Sequence, residues 1–117
     1  MNETAFYGVI HSGDPETVRK LLAKWLGSDV VVKIRLLGEE MVHEDKDLYV
    51  YAHTAFHTAG EERAFLLEGH TSYGREETKR RLEQLLLICK EESVKCECEY
   101  VEVNQDGDEI SDHFQVT

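Results

Sequence analysis

The order strand, helix, strand occurs twice in this sequence, and this order most limits how the chain can fold. In the first half, residues 5–11 alternate as in a strand and are rich in aromatic and β-branched residues. Asp14 and Pro15 then form a helix-start signal, because an acidic N-cap accepts a backbone N–H and proline is tolerated at the first helical position. The apolar residues that follow recur at helical spacing and form one stripe: Val18, Leu21, Leu22, Trp25 and Leu26. Gly27 is placed to end this helix, and residues 30–37 alternate again as a strand.

The second half repeats this order after an additional strand. Residues 48–57 alternate over a long stretch, and residues 63–69 follow a turn as a further strand. A helix is predicted near residues 74–91, and residues 94–103 form the last clear strand pattern. Residues 108–117 either return as an edge strand or trail off.

The last clear strand pattern contains a change of parity. Cys96 and Cys98 project to one face, whereas Val101 and Val103 project to the other. One extra residue near Tyr100 would bring both pairs into the same core, so we expect a β-bulge there.

The length of 117 residues favours a single domain over residues 1–117. The two halves also share residues at nearly constant offsets, which favours internal repeats at about 4–57 and 62–117. The shared residues at the strands are Ala5, Phe6, His11 and Ser12 in the first half and Ala64, Phe65, His70 and Thr71 in the second. Each half then continues into an acidic segment that we expect to form a turn.

Two right-handed strand–helix–strand crossovers place both helices on one face of an antiparallel sheet. This layout resembles the ferredoxin-like α+β sandwich, a duplicated βαβ arrangement, with residues 48–57 as an extra strand between the halves. The alternative is a glyoxalase-like layout, in which paired βαββ modules curl around a central cleft.

The acidic segments carry the charge of the chain. The formal net charge is −11; residues 39–47 contribute five acids and one base, residues 97–112 contribute seven acids and no base, and the remainder is balanced. A duplex nucleic-acid binder needs a basic surface to displace counterions from phosphates, and an anionic membrane surface would repel this chain. We therefore expect neither partner.

Cysteine content and motifs bear on location and chemistry. Three cysteines, an odd number, favour a reduced cytoplasmic protein in which Cys96 and Cys98 are core residues. The first ten residues lack the basic start of a signal peptide, and no apolar stretch approaches the ~20 residues of a membrane span. The sequence contains no phosphate-binding loop, nucleophile elbow or dinucleotide fingerprint, so it predicts neither a cofactor nor a catalytic residue.

Histidines and tyrosines are the candidate ligand-binding residues. His11 and His70 each end a strand ahead of a hydroxyl residue and a helix, where an anion could bind, although closure of the turn is the favoured interpretation. His53 and His57 would lie about 13 Å apart on one face of a strand, too far to share a metal ion, so no metal site is predicted. A cleft in a small-molecule-binding protein or enzyme would be lined by the following residues: Tyr7, His11, Tyr49, Tyr51, His53 and His70.

The localised charge, together with the missing catalytic motifs, favours a different function. We expect a non-catalytic interaction or regulatory module, a homodimer through its sheet, that presents acidic loops to a basic protein partner. The residues expected to contact that partner are Glu39, Glu40, Glu44, Asp45, Asp106 and Asp108.

Overall fold

Seven antiparallel strands form one sheet in the computed structural model, which describes residues 3–36, 38–55 and 63–116. In chain order the elements are β1 (Glu3–Ile10), α1 (Pro15–Leu26), β2 (Val32–Arg35), β3 (Gly38–Glu44), β4 (Leu48–Ala55), β5 (Ala64–Thr71), α2 (Arg75–Glu91), β6 (Cys96–Val103) and β7 (Phe114–Val116). The strand order across the sheet is β2-β3-β4-β5-β1-β6-β7. The protein is therefore α+β, as the sequence predicts.

Helix α1 begins and ends where the sequence predicts. The Asp14 carboxylate accepts a hydrogen bond from the backbone N–H of Glu16 at 3.3 Å and another from the Thr17 hydroxyl at 2.7 Å. Gly27 ends the helix with φ 73°, a left-handed conformation that suits glycine. Among the described residues, no helix is both long and apolar enough to cross a membrane.

Both helices contribute to one core on a single face of the sheet. Phe6 and Ile10 of β1 point to this face, which we call the helix face, and pack in one cluster with buried residues of α1 and α2. The helix residues that are fully or almost fully buried in this cluster are Val18, Leu21, Leu22, Leu82, Leu85 and Cys89. Since side chains alternate along a strand, every second residue of the sheet projects from the opposite face.

The acidic segment after β2 is a strand, and the prediction of a turn there is wrong. Glu39, Glu40 and Glu44 belong to β3, which pairs with β2 on one side and with β4 on the other. Met41 accounts for this pairing, because it is 1% exposed in the core, while its neighbours Glu40 and Val42 both project from the opposite face. Asp45 and Asp47 lie in the turn that follows.

This extra hairpin changes the position of two predicted strands. The strand expected over residues 30–37 is shorter, at Val32–Arg35, and lies at the outer edge of the sheet. The strand that the sequence predicts over residues 48–57 as an extra strand is β4, and it pairs directly with β5 near the middle of the sheet. Within the first half three strands, β2, β3 and β4, follow α1, whereas in the second half two strands, β6 and β7, follow α2, so the described halves differ by one strand. The expected end of this strand at residues 56–57 lies outside the described residues.

The predicted bulge in β6 is absent. Pairing with β1 is continuous from Glu3 opposite Val103 to Ile10 opposite Cys96. Both parities are instead buried, since Cys98 and Tyr100 join the helix-face core whereas Val101 and Val103 pack with Ala5 on the opposite face. The change of parity thus reflects burial on two faces of a regular strand.

The close contact between the two central strands gives a stability prediction. Gly69 lies opposite Phe6 on the helix face, where a Cβ atom would overlap the Phe6 ring and the Tyr49 carbonyl oxygen. We expect Gly69→Ala to lower the free energy of unfolding by about 1–3 kcal/mol, as overpacking does elsewhere. Urea denaturation monitored by circular dichroism measures this change.

Gly74→Ala provides the matched control, because nothing lies within 4 Å of the position of its added Cβ atom. If the two variants lose the same stability, the close packing of Gly69 against Phe6 is not a constraint on the sheet.

Candidate functional site

The face of the sheet opposite the helices, which we call the open face, carries most of the residues singled out in the sequence. Strand pairing brings four side chains into one row that crosses β4, β5, β1 and β6. Tyr51 lies opposite Glu68, Glu68 opposite Tyr7, and Tyr7 opposite Glu99. Adjacent strands are ~4.8 Å apart, so the central tyrosine has a carboxylate on each side within side-chain reach. We call these four residues the aromatic–carboxylate row.

A shallow depression of about 440 Å³ lies beside this row. Tyr7, which is 37% exposed, and Leu66, which is 38% exposed, give it aromatic and aliphatic walls. Its carboxylates come from Glu68, Glu97 and Glu99, and no lysine or arginine is among the described residues that line it. The depression therefore combines apolar contact surface with concentrated negative charge.

The Glu99 carboxylate contacts two side chains from the segment around β7, Gln115 and His113. The Gln115 amide donates to Glu99 Oε2 at 2.8 Å, and His113 Nδ1 lies 3.3 Å from Glu99 Oε1. The His113 ring stacks on Tyr7 with a centroid distance of 6.3 Å and an interplanar angle of 11°, while its Nε2 is 2.9 Å from Glu109 Oε1. Hydrogen bonds to Glu109 and then to Glu99 raise the pKa of His113 above its usual value.

A second network occupies the other end of the row. The Tyr51 hydroxyl donates to Glu40 Oε2 at 2.7 Å, and Arg35 Nε donates to Glu40 Oε1 at 2.7 Å. The hydrogen bond from Arg35, followed by that from Tyr51, lowers the pKa of Glu40, and the hydrogen bond to Glu40 raises the pKa of Tyr51. Tyr51 is thus fixed as a neutral donor on an ionised carboxylate, which suits a structural or contact role better than proton transfer.

All six predicted ligand residues are on or beside the open face, but they do not form one cleft. Tyr7 lies at the centre, His53 lines the depression beside it, and Tyr49 stacks on His70 in a separate depression of about 290 Å³. His11 lies just beyond the end of β1, with its Nε2 2.9 Å from Glu97 Oε2. His70 lies opposite Ala5, six residues away from His11 along β1, or about 20 Å.

The predicted partner-binding acids divide between the two faces. Glu40 and Glu44 project from the open face, opposite His53 and Tyr49 respectively. Glu39 projects from the helix face, where its carboxylate accepts hydrogen bonds from Thr54 and Arg63.

The remaining three predicted acids lie in turns. Asp45 accepts backbone N–H bonds from Asp47 and Leu48 and so closes the hairpin between β3 and β4. Asp106 and Asp108 have exposed side chains in the turn after β6, where their backbone N–H groups donate to the Asn104 side chain.

The turns after His11 and His70 are closed by the protein's own hydroxyl groups, but only α1 has a side-chain cap, because the N-cap residue of α2, Gly74, makes no side-chain cap hydrogen bond. Ser12 accepts a hydrogen bond from Asp14, whose carboxylate caps α1. The Thr71 hydroxyl accepts from the Tyr73 backbone N–H and donates to the Asp47 carbonyl oxygen.

The three cysteines meet between α2 and β6, an arrangement that the sequence pattern does not indicate. Cys89 and Cys98 are buried, Cys96 is half-buried, and Cys96 Sγ lies 3.8 Å from Cys98 Sγ. A hydrogen bond to Cys96 and burial raise the pKa of Cys89 far above its usual range. The contact with Cys89 lowers the pKa of Cys96, but the contact with Cys98 and burial raise it more, so the net shift is strongly upward. Cys89 and Cys96 therefore stay protonated, and all three cysteines pack in or against the helix-face core.

Sequence reasoning missed the carboxylates that complete the row. Glu68 lies on β5 and Glu99 on β6, the two strands that pair with β1. Only the register of these pairings places both glutamates beside Tyr7. His113 was missed because the segment after β6 has no periodic pattern. For Glu99 alone the sequence holds a local signal: glutamates alternate with buried residues along β6, which indicates that they project from the other face of the sheet.

Comparison with known proteins does not assign a family to this chain. No protein-family model matches it, and neither a curated protein nor a solved structure gives a match. Within the described ranges, no group of three or more histidine, cysteine, aspartate or glutamate side chains is arranged to hold a metal ion. Function must therefore be inferred from the open face itself.

The environment of His113 gives a pH-dependence prediction. Its pKa is raised in the folded protein, so the stability that it adds is fully present below the unfolded value of about 6.5 and is lost as pH rises through the folded pKa. We expect an NMR titration to give a midpoint above 6.5 for His113, and Glu109→Gln to lower that midpoint. Glu83→Gln, a change on α2, should leave it unchanged. A midpoint at or below 6.5 would contradict the described contacts.

The cysteine cluster gives a reactivity prediction. Iodoacetamide at mildly alkaline pH should modify none of the three thiols in the native protein over a period that fully alkylates free cysteine, because the thiolate is the reactive form, the pKa values of Cys89 and Cys96 are raised, and Cys98 is buried. All three should react in guanidinium chloride, as measured by intact mass. Rapid native modification of Cys96 would show that its thiol is ionised and accessible.

Proposed function

We propose that the protein is a non-catalytic cytoplasmic interaction module that binds a basic protein partner through its open face. The observation that carries this proposal is the separation of charge between the two sides of the molecule. Open-face positions of β1, β4, β5, β6 and β7 hold four glutamates, Glu3, Glu68, Glu97 and Glu99, and no lysine or arginine. On the same face β3 adds Glu40 and Glu44, and only the edge strand β2 adds basic residues, Lys33 and Arg35. The two helices on the other side hold eight basic and five acidic residues.

This separation makes the open face the side toward which a basic surface is attracted. A focused negative field raises the association rate with basic partners and opposes acidic ones. Glu44 extends the acidic area onto β3, where Glu40 is already paired with Arg35, and Asp106 and Asp108 are exposed in the turn after β6. Two copies packed through this face would bring like charges together, so the proposal assigns the face to a basic partner.

Exposed apolar area on the same face supports a contact role. Tyr7, Val42 and Leu66 project from the open face and are each more than a third exposed. Interfaces gain most of their binding energy from a few buried aromatic or aliphatic anchors surrounded by polar residues. Aromatic and aliphatic side chains within an acidic surface fit that pattern.

The alternative, a small-molecule enzyme with a Tyr/His-lined cleft, has less support. His11, His53 and His70 are spread over the open face, and the depressions there are shallow. A catalytic site would need an acid or base within hydrogen-bond reach of a common substrate position.

We also propose that β1, α1, β4, β5, α2 and β6 form a ferredoxin-like arrangement to which β2, β3 and β7 are added. In its support, β1 lies between β5 and β6, β4 follows β5, and both helices pack on one face. The three free thiols support the reducing location that the proposal includes.

Two triple variants with the same change in net charge test the proposal. The open-face variant replaces Glu68, Glu97 and Glu99 with glutamine, and the helix-side variant replaces Glu76, Glu83 and Glu92. Exposed charge pairs contribute about 0.3–0.5 kcal/mol each, so we expect the open-face variant to bind an oligolysine peptide about tenfold more weakly than the native protein. The helix-side variant should stay within about twofold, as measured by fluorescence anisotropy at several salt concentrations. Equal losses in both variants would mean that only net charge matters, and the assignment to the open face would be wrong.

A further inference from the structure

We infer that the depression beside Tyr7 binds one arginine side chain of the basic partner, with the guanidinium against the Tyr7 ring and between the flanking carboxylates. This inference rests on the proposed function and specifies how that partner is recognised.

The charges around the depression exclude an anionic ligand and favour a cation. Glu68 on β5 and Glu99 on β6 flank Tyr7. Glu97 lies two residues before Glu99 on β6, projects from the same face and lines the same depression. An incoming anion would be repelled by three carboxylates and a cation attracted by them, and two of the three, Glu97 and Glu99, already contact a histidine. A metal ion is disfavoured, because the carboxylates of the described residues are not arranged as a ligand set.

The walls of the depression favour an organic cation with an aliphatic stem. Val9 and Leu66 lie opposite each other in adjacent strands and line the depression beside Tyr7. Long basic side chains bury their methylene groups on apolar surface while the charged end contacts polar groups. The depression of about 440 Å³ offers both surfaces to a single inserted side chain.

The arrangement of the carboxylates and the ring distinguishes arginine from lysine. A guanidinium is planar, stacks on aromatic faces and presents N–H donors in several directions, whereas an ammonium is a compact and strongly hydrated charge. Carboxylates on both sides of one tyrosine suit a group that can donate in two directions while lying on the ring.

His113 shows that this tyrosine and one of its carboxylates already accommodate a planar nitrogen base. Its imidazole lies almost parallel to the Tyr7 ring and within 3.3 Å of Glu99. His113 does not line the depression with Glu68, Glu97 and Leu66, so the proposed arginine position remains available beside it. The histidine is an internal example of the recognition that we assign to the partner's arginine.

Oligoarginine and oligolysine peptides of equal length test the inference by isothermal titration calorimetry. We expect the native protein to bind oligoarginine about fivefold more tightly than oligolysine. Tyr7→Leu should abolish this preference, while Tyr7→Phe, which keeps the aromatic face, should retain it. Thermal denaturation of each variant verifies that the fold is intact.

A matched pair of charge variants locates the site within the open face. Glu68→Gln removes a carboxylate beside Tyr7, whereas Glu44→Gln removes an exposed carboxylate on the same face but outside the depression. We expect Glu68→Gln to weaken oligoarginine binding about fivefold and Glu44→Gln by less than about twofold.

The outcomes separate this inference from the proposed function. Equal binding of the two peptides, or equal losses in Glu68→Gln and Glu44→Gln, would overturn the arginine site while leaving a diffuse acidic interface intact. Absence of binding to both peptides at low salt would overturn the proposed function as well.

Discussion

Helices α1 and α2 pack on one face of the sheet only, and the main core that they form there determines the rest of the structure. Side chains alternate along each strand, so the hydrophobic residues that face the helices form the main core, and their neighbours project from the open face. Phe6 belongs to the core, whereas Tyr7, the next residue, is more than a third exposed. The same alternation that stabilises the fold therefore produces a broad surface with a fixed arrangement of side chains.

The open face differs from a merely solvated surface in how its charges are distributed. Glutamates and tyrosines alternate across four strands in the aromatic–carboxylate row, and neighbouring groups hold Tyr51 and Glu99 in place. Rigid side chains lose less conformational entropy on binding than mobile ones, which makes an ordered surface suitable for recognition. A basic partner would be attracted over a long range by the acidic field and positioned at short range by the aromatic groups.

The sequence predicts the helices and most strands because their signals are local. Asp14, Pro15 and Gly27 define α1, and the alternation around Val50 and Ala52 defines β4. The β3 strand was missed because three glutamates concealed the alternation around Met41, whose burial depends on a pairing with β4 that is not encoded locally.

The candidate site was predictable only in part for the same reason. Tyrosines and histidines on β4 form a visible stripe, which explains why Tyr49, Tyr51 and His53 were identified. The approach of Tyr7 to Glu68 and Glu99 depends on the register between strands that are distant in sequence.

Binding of a basic partner to the open face and not to the helix side is tested most directly by mapping with two-dimensional NMR. Titration of the isotope-labelled protein with an oligoarginine peptide should shift backbone amide signals of β1, β5 and β6, with the largest changes near Tyr7 and Glu68. Signals of α1 and α2 that face solvent should stay in place. Shifts concentrated on the helices, or spread evenly over the molecule, would contradict this account.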